Sequence, residues 1–276
     1  MTRTAMTGAE IPDLFHDDPT ARPLTYPGRL PRTSGVVVDN AYLPLHPVEG
    51  RPADEWRVGD ETLEQLLARL GRSPMSARRP IVAVGSNAAP SQLRRKFLSH
   101  SIRPIIPMTL ADVDGIVAGV SAHVNKWGYL PAVPVEAPGE TSRLFVLWLD
   151  DEELATLDRT EPNYWRRALP AERHPVTLES GVRPPSCFVY VGRHGCLVDA
   201  AGRTRGLTDQ AMLIQSLLDE SEELRRLCGT NPEDFVSRVR QEVVREAIYR
   251  LFPAERRVQP QPRLIALPPL LTTFGH

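Results

Sequence analysis

The sequence predicts an α+β fold, and three observations carry that prediction. Between about residues 79 and 200, short β-like stretches far outnumber helical ones, and only two brief helical segments interrupt them. Sustained helical periodicity is confined to the last third of the chain. Proline recurs through both ends, so neither end builds a long regular element. Strands in one block with helices segregated to another argue against a regular βαβ alternation.

The elements follow in order. Residues 1–78 read as a proline-rich N-terminal arm with one short helix. Pro12, Pro19, Pro23, Pro27, Pro31, Pro44, Pro47 and Pro52 each fix φ and remove a backbone donor, so the arm is expected to lie extended over the main domain. Its helix is marked by Leu63, Leu66, Leu67 and Leu70 on one face, with Gly71 as the left-handed stop. Residues 79–204 form the central domain. Ile81-Val82-Ala83-Val84 is a buried-strand run ending in the turn Gly85-Ser86-Asn87, and Ser91 to Phe97 reads as a short helix. Strands are expected at 104–110, 114–124, 129–135 and 142–149, the last apolar enough to be covered on both faces. Asp150 or Asp151 caps a helix facing inward through Leu154 and Leu157. Further strands are expected at 164–169, 173–179 and 186–192, with a hairpin near 196–199.

Residues 205–276 read as a C-terminal helical extension with a proline-rich tail. Thr208 is the expected cap of a helix carrying Met212, Leu213, Leu217 and Leu218 and continuing to Leu224 and Leu227 before Gly229. Asn231-Pro232 starts a second helix, with Phe235, Val236, Val239, Val243, Val244 and Ile248 at helical spacing. These stripes are packing surfaces. The tail Leu267-Pro-Pro-Leu-Leu271 and the N-terminal arm are candidate contacts for a homo-oligomer.

Several function classes are excluded. The formal net charge of -1, without a basic stripe, gives no field that draws the chain to nucleic acid. No apolar run is long enough to span a bilayer and the N-terminus has no signal-like apolar core, so a cytoplasmic location is expected. Cys187, Cys196 and Cys228 fit neither a disulfide framework nor a metal or redox motif. His123, His174 and His194 lack metal-ligand spacing and read as structural. Ser86 lacks a nucleophile elbow, which argues against a serine hydrolase. Lysine occurs only at Lys96 and Lys126 among many arginines, a bias that codon usage explains.

Two features bear chemistry. Val84-Gly85-Ser86-Asn87 ends a strand, where successive N–H groups aim at one point and make a nest for a carboxylate or oxyanion; an ordinary turn is the alternative. Glu161 lies just past a helix end and before Pro162, where apolar strands around a cavity suit a general base. The alternative is a solvated acid paired with Arg159 or Arg166. Asn125, Lys126, Trp127 and Tyr129 form a polar-aromatic cluster that lines either a ligand mouth or an ordinary loop.

In this order and spacing the two features resemble the gamma-glutamylcyclotransferase superfamily. Its Tyr-Gly-Ser-Asn loop is matched by Gly85, Ser86 and Asn87, and its Leu-Asp-x-x-Glu-Gly and Tyr-x-Arg segments by Leu157, Asp158, Glu161, Tyr164 and Arg166. Gly128 to Pro134 and Pro138-Gly139-Glu140 resemble the strand and turn between them. Val84 stands in place of the family tyrosine, Pro162 in place of a glycine, and Leu144 where a glycine is usual. The resemblance covers roughly 79–200 and implies a small mixed β-barrel flanked by helices.

It also implies a reaction. A γ-glutamyl α-amine attacks its own γ-amide carbonyl and releases 5-oxoproline, with Glu161 moving the proton and neither metal nor cofactor required. The resemblance assigns substrate binding to Val84, Gly85, Ser86, Asn87, Tyr129 and Tyr164. It leaves the leaving amine open, and the departures argue against a glutathione-like substrate. A non-catalytic small-molecule-binding or assembly module of the same fold is the competing expectation, and another amide-bond reaction in the same pocket is a third.

Overall fold

A computed structural model of the chain describes residues 14–269. Leu270 and Leu271 of the expected tail contact, and Pro12 of the arm, lie outside the described residues. The valine run folds as β1 (Gly35–Val38), which turns through Asp39 into β2 (Ala41–Pro44). A tight hairpin, β3 (Arg57–Val58) and β4 (Glu61–Thr62), feeds α1 (Leu63–Arg69). Thr62 caps α1 by accepting the Gln65 N–H in a capping box, and Gly71 follows at φ +65.

β5 (Arg79–Ala83) ends in the Gly85 turn, a short 3-10 helix over Ser86–Ala88 and then α2 (Pro90–Leu98). The four strands expected between 104 and 149 are two long ones, β6 (Ile105–Val120) and β7 (Ala132–Leu149). The breaks expected at 111–113 and 136–141 are instead strand, in one antiparallel ladder with an irregularity at Gly115: Asp114 pairs with Thr141 and Ile116 with Glu136. α3 (Asp151–Thr160) is capped by Asp150, and β8 (Tyr164–Leu169) follows directly. β9 (Val176–Leu178) is shorter than expected, beginning only after Pro175, and β10 (Cys187–Gly192) completes the sheet.

The sheet runs β2-β1-β6-β7-β5-β10-β8, with β9 also on β6, and only the β5–β10 pairing is parallel. It is mixed and it is open. β2 and β8 end as its edges without pairing to each other, so among the described residues no sheet closes into the small mixed β-barrel that the resemblance implies. Alternation along the central strands buries both faces. Val36, Val82, Ile105, Val146 and Val189 face a core shared with Trp56, Leu63, Leu66 and Leu67. Val37, Ile81, Ile106, Leu147 and Phe188 face Leu93 and Phe97 of α2 and Leu154 and Leu157 of α3.

The helical third packs as its own cluster. It contains α4 (Gln210–Glu220), α5 (Glu222–Cys228), α6 (Pro232–Arg238) and α7 (Glu242–Ala254), set against Val120, Ala122, Leu130 and Leu197. Asp209, not Thr208, caps α4. The first expected long helix breaks at Ser221, whose side chain accepts the Leu224 N–H and starts a new helix. The second breaks after α6, where the freed carbonyls of Val239 and Arg240 each take 2.8 Å hydrogen bonds from Arg245. The expected hairpin near 196–199 is present as a tight turn in which Val198 bridges Thr204, and β11 (Cys196–Leu197) also pairs with β12 (Val258–Gln259), which brings the chain back to the sheet before α8 (Pro262–Ile265). No helix among the described residues is long and apolar enough to cross a membrane.

Candidate active site

One cavity of about 500 Å³ gathers both sequence motifs. Its wall comes from the turn after β5, from α2, from the 121–131 loop, from the α3–β8 junction and from α7. Each of these is anchored. A buried ion pair, Arg78 Nη1 to Glu153 Oε2 at 2.7 Å, ties the start of β5 to the first turn of α3. Arg166 grips Asp158 through both carboxylate oxygens at 3.0 and 2.9 Å, and the Tyr190 hydroxyl donates to the same carboxylate at 2.8 Å. These contacts fix the far end of α3 against β8 and β10. Gln210 clamps the 121–131 loop by exchanging two hydrogen bonds with the Leu130 backbone.

Glu161 is the residue on which α3 ends, and Pro162 stops the helix there. A carboxylate at a helix C-terminus faces the negative end of the dipole, so it needs donors. It has two. Asn87 Nδ2 donates to Glu161 Oε1 at 3.0 Å, and the Lys96 ammonium donates to the same oxygen at 2.5 Å. Lys96 also donates to Asn87 Oδ1 at 2.7 Å, closing a triangle of three side chains. Among the described residues, no donor engages Oε2 of Glu161. Neither Arg159 nor Arg166, the partners considered from the sequence, pairs with it: Arg159 donates to Thr156 and Arg166 to Asp158.

The Gly85 turn is packed as tightly as its sequence requires. A Cβ at position 85 would lie 2.6 Å from Ala132 Cβ and 2.6 Å from the Tyr26 hydroxyl, so only glycine fits. Tyr26 accepts the Ala132 N–H at 2.7 Å, and the Ser86 N–H and hydroxyl also point at its oxygen. Tyr164 donates to the Ala132 carbonyl at 2.8 Å. The Ala132 peptide is thus held on both sides by phenols. Burial raises the Tyr26 phenol to about 12, and burial likewise raises Tyr129 and Tyr164, so all three remain neutral. Among the described residues, no acceptor takes the N–H of Gly85 or of Asn87, and both residues line the cavity.

Every residue expected to bind substrate lies on this wall: Val84, Gly85, Ser86, Asn87, Tyr129 and Tyr164, with Glu161 among them. Asn125, Lys126 and Trp127 line it too. Three participants escape a reading of the two motifs. Tyr26 comes from the N-terminal arm, stacks on Tyr129 at 4.5 Å and places a phenol against the Gly85 turn that follows Val84. Lys96 carried a signal, since the only two lysines of the chain both line this cavity. His123 is buried in the wall with its Nε2 unpartnered, and its ring lies 4.7 Å from that of His194.

No family model matches the sequence, and no curated protein matches it. Among solved structures the chain is similar to a gamma-glutamyl cyclotransferase, at 13% identity and a TM-score of 0.35, over 63% of this chain and 99% of that one. It is similar to an AIG2-like protein from Mus musculus at 18% identity and a TM-score of 0.31, over 45% of this chain and 82% of that one. It is also similar to an uncharacterized protein from Homo sapiens at 17% identity and a TM-score of 0.33, over 42% and 67% of the two chains. The neighbours include the family that the two motifs resemble; at such scores they say nothing of activity.

Proposed function

We propose that the protein is an amide-cleaving transferase of the gamma-glutamylcyclotransferase type, acting on a γ-glutamyl amine and releasing 5-oxoproline. The observation that carries this reading is Glu161, held inside a cavity at 3.0 Å from Asn87 of the Gly-Ser-Asn turn. Asn87 and Lys96 occupy Oε1 and fix the carboxylate, which leaves Oε2 to receive the substrate's α-amine. The amine nitrogen attacks the γ-carbonyl carbon as its proton passes to Glu161. The C–N bond to the leaving amine then breaks as Glu161 returns the proton to that nitrogen. The Gly85 and Asn87 N–H groups supply donors for the oxyanion or the glutamyl carboxylate. Holding amine and carbonyl together supplies much of the acceleration.

One observation favours the competing reading, a binding module without turnover: the Lys96 ammonium already neutralises Glu161, which weakens the carboxylate as a base. Assaying 5-oxoproline release from a panel of γ-glutamyl amines, with wild type beside Glu161→Gln, decides between them. Turnover by wild type that drops about 10²–10⁴-fold in the variant is the expected result. Equal rates would remove Glu161 from the chemistry. Binding of a γ-glutamyl amine with no release from any member of the panel would establish the module.

A further inference from the structure

The cavity is far more cationic than the protein. The chain carries a formal net charge of -1, yet Arg95, Lys96, Lys126, Arg159 and Arg245 all line this one cavity, and Glu161 is its only carboxylate. Two of the five cations are matched: Lys96 by Glu161, and Arg95 by Asp18 at 3.6 Å. Among the described residues, no carboxylate lies within ion-pair distance of Lys126, Arg159 or Arg245. Lys126 and Arg159 are exposed and Arg245 is half-buried, so the three cations sit at the cavity mouth, where water screens part of their mutual repulsion.

Each of the three is also held in place. Arg245 Nη1 spends its donors on the Val239 and Arg240 carbonyls, which orients the guanidinium and leaves its other nitrogens without acceptors among the described residues. Arg159 is braced on the Thr156 hydroxyl at 2.8 Å. Lys126 lies over the Trp127 ring, its Nζ 5.1 Å from the centroid. They come from three separate parts of the fold, namely α7, α3 and the 121–131 loop. The neutral residues between them (Asn125, Trp127 and Tyr249) present polar and aromatic surface and no counter-charge.

We propose that Lys126, Arg159 and Arg245 form an anion subsite, and that the leaving half of the substrate carries at least two negative charges, as a phosphate group or as paired carboxylates. This rests on the γ-glutamyl reading for the word "leaving"; the subsite itself does not. Net charge on the ligand is set by what the rim lacks: a neutral amine would leave all three cations unmatched in the loaded cavity. Arginine forks suit planar carboxylate and phosphate oxygens, and the lysine adds a point charge.

The test separates the subsite from the reaction. Binding of pyrophosphate and of citrate to the full chain carrying Glu161→Gln is measured by calorimetry, then repeated with Lys126→Gln and Arg245→Gln added. The expected result is saturable binding of one of the two anions, weakened at least tenfold by the added pair and weakened further as salt rises. Which anion binds more tightly distinguishes phosphate from carboxylate chemistry. Arg245→Lys, which keeps the charge, should retain most of the binding and guards against a merely misfolded loop. Turnover by wild type is then compared for γ-glutamyl-ethanolamine and its O-phosphorylated counterpart, with at least a tenfold preference in kcat/KM for the charged substrate. Unchanged anion affinity in the double variant, or no binding of either anion, overturns the subsite even where 5-oxoproline is released. Anion binding without any 5-oxoproline release keeps the subsite and overturns the reaction.

Discussion

Mild acid attacks this protein at a point that its structure identifies. His123 sits in the cavity wall, 1% exposed, with Nδ1 2.7 Å from the Ser121 hydroxyl and Nε2 without a partner. Burial first, and then the neighbouring His194, lower its pKa from 6.5 to about 3. The sign follows from linkage. A histidine whose folded pKa is depressed takes its proton first in the unfolded chain, so stability is fully present above about pH 6.5 and drains away as pH falls towards 3. Between about pH 7.5 and about pH 4.5 this one group removes about 2.7 kcal/mol. That is a large part of the roughly 5–15 kcal/mol that holds a typical domain. His194 and His174, both lowered chiefly by burial, act in the same direction. Urea unfolding at the two pH values, for wild type and His123→Gln, isolates the contribution because every other titrating group is common to both proteins. Wild type should lose about 2–3 kcal/mol more than the variant over that interval. Parallel losses would show that the imidazole is solvated or already paired, and the argument from burial would fall.

Two further outcomes follow from the packing around the site. Gly85→Ala should cost about 1–3 kcal/mol, because the new methyl meets Ala132 Cβ and the Tyr26 hydroxyl at 2.6 Å each. It should also lower 5-oxoproline release by moving the turn, and a variant with wild-type melting and turnover would refute the close approach. Arg78→Met removes the closer of the two arginines beside the buried Glu153 carboxylate, leaving Arg72 at 3.6 Å, and should cost about 3 kcal/mol, read as a lower denaturation midpoint. The double change Arg78→Met with Glu153→Leu should recover much of that loss, and failure to recover any would mean that the pair is not the anchor of α3.

Local chemistry made most elements legible. The leucine stripe of α1, the Asp150 cap of α3, and the Asn231-Pro232 start of α6 are written within a few neighbouring residues, and each appears where the sequence places it. What misled were signals whose meaning depends on partners far along the chain. Pro138-Gly139 has the composition of a turn, yet the β6–β7 ladder runs past it because Asp114 and Thr141 pair on one side and Ile116 and Glu136 on the other. Ser221 and the 239–241 break interrupt stripes whose spacing stays helical, since spacing records the buried face and not the continuity of the backbone. Sheet closure, too, is decided by long-range pairing that no short window contains.

The same distinction separates the two halves of the site. Glu161 and Gly85-Ser86-Asn87 lie in short motifs and were visible. Their partners were not, because Tyr26 reaches the turn from the arm and Arg245 and Tyr249 reach the cavity from α7. The terminal segments therefore do more than cover the sheet: one places a phenol against the Gly85 turn, and the other supplies a cation and an aromatic wall. Lysine usage points to the same place. In a chain that uses arginine almost everywhere, the two exceptions converge on one cavity, and one of them makes the contact that arginine's wide, planar fork fits poorly: a single ammonium shared between Glu161 and Asn87. Codon bias explains the many arginines. It does not explain why Lys96 escaped it, and a compact charge beside the candidate base does.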